Sequence, residues 1–316
     1  MAGDQLSEVF DLIEVRGLLS GGFAVHGPWV TRTVIDEPLK FIAVVSGRGR
    51  LATDGIEAPI ELEAGDVAII NSRSWLELEG GTGPEPRREI VPEPGFPFAS
   101  LIGAHTGVDD VVIGGRIGLN PVGQALMMQA LPPVGHVRGS AVEGANLRGS
   151  LHRLLDEVSA NRLGSAFAIR QHTQLILLEV LRAYLDQADL PPGWLRVLSD
   201  ERLRPALRLM HAEPGKAWGL EELARAAAMS RTSFAERFRS IAGVPPLAYL
   251  NRWRMLLAQR ALRVGDVRVG SLAADLGYAS ESAFSTAFKR EVGVSPLRYR
   301  HQVRDEVVPV ETASGL

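Results

Sequence analysis

The chain contains no cysteine among its 316 residues. Disulfides, thiol nucleophiles, thiolate metal sites and cysteine redox switches are therefore excluded. It also lacks any run near the ~18 consecutive apolar residues of a membrane span. The start, Met1-Ala2-Gly3-Asp4-Gln5, has neither the basic residues nor the apolar core of a secretory signal. The expectation is a cytoplasmic chain with no membrane partner. Hydrophobic residues at 46% and charged ones at 22% fit a folded globular protein and argue against disorder. At about 150 residues per domain, the length predicts two cores.

Charge is distributed unevenly. Residues 1–199 carry 16 Lys and Arg against 24 Asp and Glu, a net of −8. Residues 200–304 carry 18 against 10, a net of +8, and the last 12 residues add three acids and no base. An acidic N-terminal part and a basic C-terminal part imply two tasks, the second near a polyanion. A basic helical surface that binds nothing gives the same count.

The C-terminal half repeats itself. A shift of 50 residues lays 220–254 on 270–304 with ten identities in 35 positions. They are Ala224/Ala274, Ser230/Ser280, Phe234/Phe284, Phe238/Phe288, Gly243/Gly293, Val244/Val294, Pro246/Pro296, Leu247/Leu297, Tyr249/Tyr299 and Arg254/Arg304. A solenoid needs three or more units, so two copies indicate a duplicated compact module. In copy one, residues 220–228 read as a short Ala-rich helix and Met229-Ser230 as a tight break. Ser230 then caps a second helix, Arg231 to Ile241, which Gly243 ends.

In copy two Leu272 to Leu276, Gly277-Tyr278, Ser280 and Gly293 take the same parts. Phe234 and Phe238, like Phe284 and Phe288, stand four apart on one buried face. Ala224 and Ala274 are the small residues that let the paired helices approach. Short helix, tight turn and second helix make a helix-turn-helix. The outer face of each second helix offers Arg231, Thr232, Ala235, Glu236 and Arg239 in copy one, and Glu281, Ser282, Ser285, Thr286 and Lys289 in copy two. A solvated helix face carries such residues too, so the matched set argues for DNA contact where no single one does.

Between the copies, Leu247 to Leu262 reads as a long helix entered by Pro245-Pro246, apolar on the sides that would meet both units. Such a connector spans roughly 25 Å. Successive major-groove faces lie about 34 Å apart, so one monomer could enter adjacent turns of a duplex.

The stretch Gly277-Tyr278-Ala279-Ser280-Glu281-Ser282-Ala283-Phe284, followed by Gly293-Val294-Ser295-Pro296-Leu297, closely resembles the signature of AraC/XylS-type transcription regulators. The resemblance covers about residues 200–304. It implies sequence-specific binding to double-stranded promoter DNA, with RNA polymerase a further partner if the regulator is an activator. The family's base-contacting places fall on Thr232, Ala235 and Glu236, and on Glu281, Ser282 and Thr286. Ala235 offers only an apolar contact, as to a thymine methyl, and Glu236 an acceptor for cytosine N4. Both glutamates equally suit helix-surface acids that repel phosphate.

Residues 8–105 read as short strands: Leu39 to Val45, a turn through Gly47, an Asp54-Gly55 hairpin, Ile60 to Glu63, and Ala64-Gly65-Asp66 leading into Val67 to Ile70. Such a pattern favours an antiparallel barrel or sandwich. Its order resembles a cupin of the kind fused to one AraC subgroup, with further matches at Ala130-Leu131-Pro132-Pro133-Val134 and from Trp194 through His211. The barrel is placed at 8–140. Catalytic cupins hold a divalent metal with His-x-His, a downstream Glu and a later His. Here the first place has no His-x-His, and the later one carries Trp75. His26, His105 and His136 lack chelating spacing, so no metal or other cofactor is expected. Candidate contacts for a small-molecule effector are His26, Trp29, Phe41, Trp75 and His105. The three aromatics equally suit core filling, and the histidines suit surface or structural positions.

From 141 to 190 the period becomes helical. Leu147, Leu151, Leu154, Leu155 and Val158, then Ile169, Leu175, Leu178 and Leu181, describe two amphipathic helices joined at Leu163-Gly164-Ser165. The resemblance makes them a homodimer contact; packing within one chain reads the same. Pro191-Pro192-Gly193 marks a linker over 191–200, the DNA-binding domain runs 201–304, and 305–316 is a tail.

The expected class is α+β multidomain: an N-terminal antiparallel, cupin-like β-barrel with an α-helical pair, and a C-terminal all-α double helix-turn-helix. The expected function is a DNA-binding transcription regulator controlled by a small-molecule effector, with no catalytic residues. Two rivals stay open. One is a cupin isomerase or oxygenase fused to a DNA-targeting domain, revealed by bound metal. The other is a DNA architectural protein with an unliganded barrel.

Overall fold

The computed structural model describes residues 4–13, 15–92, 110–140, 144–160, 162–186 and 190–305. Contacts divide it into two units. One is Ile13–Leu190; the other joins the described residues up to Leu12 to those from Pro191 onward.

The unit Ile13–Leu190 is built on strands β1 (Val15–Val25), β2 (Trp29–Val34), β3 (Leu39–Ser46), β4 (Arg48–Thr53), β5 (Ile60–Glu63), β6 (Val67–Asn71), β7 (Trp75–Gly80), β8 (Arg88–Glu89), β9 (Asp110–Leu119) and β10 (Val134–Val137). They form two five-stranded sheets, ordered β1-β9-β3-β6-β10 and β5-β4-β7-β2-β8. Pairing is antiparallel except between β2 and β8, where Trp29 meets Arg88 in parallel. The core lies between the sheets: Phe23, Ile42, Val44, Ile70 and Val112 from one, Trp29, Leu51, Leu62, Leu76 and Leu78 from the other. Period-two alternation sets this division. On β3, Ile42 and Val44 point into the core and Phe41 to the opposite face. There its ring crosses Gly115, where a Cβ would stand 1.9 Å from Phe41 Cε1.

The strands expected over 8–105 extend beyond that range. β1 pairs with β9 from Val15↔Leu119 to Val25↔Asp110. Helices α2 (Pro121–Ala130), α3 (Gly144–Ala160) and α4 (Ser165–Leu185) complete the unit. α3 and α4 pack on each other, burying Leu147, Leu151, Leu154 and Leu155 against Leu177, Val180 and Leu181. Leu175, expected on the buried stripe, is 40% exposed.

The second unit is helical: α1 (Gln5–Leu12), α5 (Trp194–Ser199), α6 (Arg204–Ala212), α7 (Leu220–Ala226), α8 (Arg231–Ala242), α9 (Pro246–Val264), α10 (Val269–Asp275), α11 (Glu281–Val292) and α12 (Pro296–Asp305). Two boundaries differ from expectation. Residues 194–199, expected in a linker, form a helix because Trp194, Leu195 and Val197 supply apolar surface that the unit's core buries. Residues 8–12, expected in the barrel, end a helix of this unit, with Val9 and Leu12 buried. Among the described residues no helix is long and apolar enough to cross a membrane.

α1 is fastened through His211. Its ring is buried, stacked on Trp253 with centroids 3.8 Å apart. Nδ1 lies 2.8 Å from Glu8 Oε2, and Nε2 lies 3.0 Å from the Tyr249 hydroxyl. A neutral ring that donates from Nδ1 to Glu8 and accepts from Tyr249 satisfies all three groups. Burial holds the imidazole's pKa below its ordinary value, and Glu8 only partly opposes this. The folded unit therefore binds fewer protons than the unfolded chain, and stability is lost as pH falls through about 6.5 and below. The expected result is a lower melting temperature at pH 5.5 than at pH 7.5, with a smaller difference in His211→Gln. Equal pH slopes in the two proteins would contradict it.

Candidate nucleic-acid interface

The two helix-turn-helix copies share their caps and their cores. Ser230 Oγ accepts from Ser233 N at 3.2 Å, and Ser280 Oγ accepts from Ala283 N at 3.1 Å. Gly243 and Gly293 end α8 and α11 at φ 71° and 89°. Phe234, Phe238, Phe284 and Phe288 are fully buried. Each pair stands 5.7 Å apart, and the second ring of each meets a matching tyrosine, Tyr249 or Tyr299. Residue by residue, the first ten positions of α8 and α11 have the same burial. In copy one Arg231, Thr232, Glu236 and Arg239 are exposed and Ala235 is half-buried. In copy two Glu281, Ser282, Thr286 and Lys289 are exposed and Ser285 is half-buried. Of these ten, Thr232, Glu236 and Arg239, like Ser282, Thr286 and Lys289, project away from the phenylalanines, Ala235 and Ser285 flank that ridge, and Arg231 and Glu281 are exposed in the first turn on the phenylalanine side.

The first helices correct the gap-free repeat. Met229 N bonds Ala224 O, whereas Tyr278 N bonds Ala273 O. Ala273 is buried as Ala224 is, while Ala274 is exposed. Ala224 therefore matches Ala273, and the identity Ala224/Ala274 is accidental. The turn of copy two is one residue longer, restoring the 50-residue register only at Ser280.

In the same turn Ala228 has φ 51° where its counterpart Gly277 has φ 77°. A side chain in this left-handed region is strained, so Ala228→Gly should stabilise by up to about 1 kcal/mol. Gly277→Ala should behave oppositely. Its Cβ would stand 2.0 Å from the Gly215 carbonyl oxygen, a backbone atom that cannot swing away. A loss of at least about 2–3 kcal/mol is expected. Chemical denaturation of the two variants checks both signs.

The same close approach ties the copies together. Arg254 on α9 donates from Nε to Pro214 O at 2.6 Å and from Nη2 to Lys216 O at 2.9 Å, holding the 214–216 segment against the turn at Gly277. α9 is 19 residues, about 28 Å long. Leu250 enters the core of copy one, and Met255, Ala258 and Leu262 that of copy two. Arg231, Arg239 and Lys289 form no ion pair among the described residues and are free to meet phosphates.

The strand unit holds a cavity of about 430 Å³ between its sheets. Phe23, Ile42, Leu76, Leu78 and Val112 wall it, with Thr31, Arg32, Thr33 and Lys40 as polar lining. The expected effector contacts do not line it. Trp29 is fully buried in the core, its indole N–H donating to Asp110 Oδ2 at 2.7 Å. Phe41 faces away across Gly115, His26 is exposed between β1 and β2, and Trp75 is 42% exposed. His105 lies outside the described residues. Lys40, a lone lysine in the apolar run Leu39 to Val45 that the sequence reading did not single out, lines the cavity instead. The metal set of catalytic cupins does not fit these residues. His136 Nε2 engages the buried Asp66 at 2.8 Å, and among the described residues no group of three His, Asp or Glu is placed to hold an ion.

Residues 4–186 match a family model described as Cupin, and 223–302 one described as Helix-turn-helix domain. A protein of Streptomyces lividans described as an AraC-like transcription regulator is 34% identical over 302 residues, covering 94% of this chain and 98% of that one. The HTH-type transcriptional regulator AlkR of Acinetobacter baylyi is 35% identical over 178 residues, 56% of this chain and 58% of that one. Among solved structures, the DNA-binding domain of AdpA, a global transcriptional factor in complex with a target DNA, is 34% identical. It covers 34% of this chain and 97% of its own, at a TM-score of 0.33.

Proposed function

The chain belongs to the AraC family of transcription regulators, and from that premise we propose that it reads promoter DNA with both helix-turn-helix copies of one monomer, under control of a small molecule held in the cupin domain. Double-stranded DNA is the partner. The observation that carries the two-copy reading is the matched burial along α8 and α11, which presents the same ridge twice on one rigid connector. Thr232, Ala235 and Glu236, with Glu281, Ser282 and Thr286, meet base edges. Arg231, Arg239, Ser285 and Lys289 position the backbone.

The relatives that align over most of the chain are described as regulators, consistent with a protein that is not an enzyme. We place it in the cytoplasm, as a homodimer through the α3–α4 pair, whose Leu163 and Phe167 are exposed. RNA polymerase is the further partner of an activator, and effector binding biases the domain arrangement. Selection of randomised duplexes by the full-length protein tests the DNA reading. Two enriched boxes about one helical turn apart support it, with affinity falling steeply as salt rises. No enrichment by folded protein, with or without candidate effectors, would overturn it.

A further inference from the structure

One cation lining the cavity between the sheets has no hydrogen-bonded or closely paired anion among the described residues. Two of its lining residues are cationic, Arg32 and Lys40. Arg32 bonds Glu77 at 2.5 Å and is 62% exposed. Arg116, opposite Lys40 in the β3–β9 register, is taken by Glu37 at 2.7 Å. The Lys40 ammonium forms no hydrogen bond or close ion pair among the described residues, and Glu37 attracts it only at longer range. Burial dominates its surroundings and pushes the ammonium's pKa below the ordinary lysine value. Glu37 opposes that shift and Arg116 adds to it. The Thr31 hydroxyl beside the cavity is buried and also has no hydrogen-bond partner among the described residues.

Leaving a half-buried ammonium and a buried hydroxyl unanswered is unfavourable, so a ligand that answers both gains by it. The apolar walls and few polar groups do not suit a sugar, which needs many hydrogen bonds. A phosphate dianion would bring two charges to one unpaired cation. Building on the reading of this domain as the sensor, we propose that the cavity takes a small organic carboxylate. Its carboxylate would sit on Lys40 Nζ, with a second hydrogen bond from Thr31 Oγ1 and an apolar body against Phe23, Ile42 and Val112. A volume of about 430 Å³ equals that of about fourteen waters at ~30 Å³ each. It therefore admits a body of about ten to fourteen non-hydrogen atoms.

The test is calorimetric titration and thermal melting of the full-length protein with octanoate and with 4-phenylbutyrate. Each acid is run beside the primary amide and the amine of the same skeleton. The acids should bind about ten- to a hundredfold more tightly than the amides, and the amines not at all. Lys40→Met should bring the acids down to the amides, while Lys40→Arg keeps the preference. If Lys40→Met fails to fold, the acid–amide ratio on the unmodified protein decides alone. Equal binding of acid and amide, or a preference that survives Lys40→Met, would overturn the carboxylate inference and leave the cavity as a small-molecule site. If none of the six compounds bound the folded protein, the carboxylate inference would also be overturned, while the sensor reading would stand or fall separately with ligands of other classes.

Discussion

Phe284→Ala is expected to cost the second helix-turn-helix about 3–5 kcal/mol, through the transfer and cavity terms together. The ring is fully buried, with Phe288 at 5.7 Å and Tyr278 at 5.4 Å between centroids. It fills the centre of a core that also holds Met255, Leu272 and Leu276. These neighbours come from α9, from α10 and from the turn after it, so no single shift can close the void. With domain stabilities of about 5–15 kcal/mol, this is a large fraction of the total. The melt should fall by about 10–20 °C, and DNA binding should weaken with it. Phe234→Ala should act alike on copy one. An unchanged melt would show that the phenylalanine pairs are not the core of these units.

Thr232→Glu combined with Thr286→Glu separates folding from recognition. Both threonines are exposed on the recognition ridges, so stability should stay within about 0.5 kcal/mol. Each new carboxylate would face base acceptors and phosphates in a major groove, losing a contact worth about 1–3 kcal/mol and adding repulsion. At least about a hundredfold loss of affinity for the selected duplex is expected. Each single variant should account for roughly half of the lost free energy if the two ridges contact separate boxes. A single variant that carries the whole loss would mean that one copy reads DNA and the other does not.

The helical repeat was legible because its signals are local. A serine cap, two phenylalanines four apart and a glycine stop act within one helix, and each is met in the structure at the expected residue. The register of α7 against α10 was not legible, because a one-residue insertion in a turn leaves a gap-free comparison intact and even produces a false identity at Ala274. β9 falls outside the 8–105 range of expected strands, and its paired glycines, like those of β1, interrupt the apolar alternation that marks a strand. Gly21 and Gly22 lie beside the cavity on β1, and Gly115 makes room for Phe41. Residue type alone does not say which side chains line the cavity. Parity along β3 does: Lys40 and Ile42 face it and Phe41 faces away, and only the pleat distinguishes such neighbours.

Hydroxyl-radical footprinting of the full-length protein on the selected duplex tests two-copy reading most directly. Two protected windows on one face of the duplex, about one helical turn apart, are predicted for each monomer. In Phe284→Ala the window assigned to copy two should weaken selectively while the other persists. A single window of half that extent, unchanged by Phe284→Ala, would contradict the account.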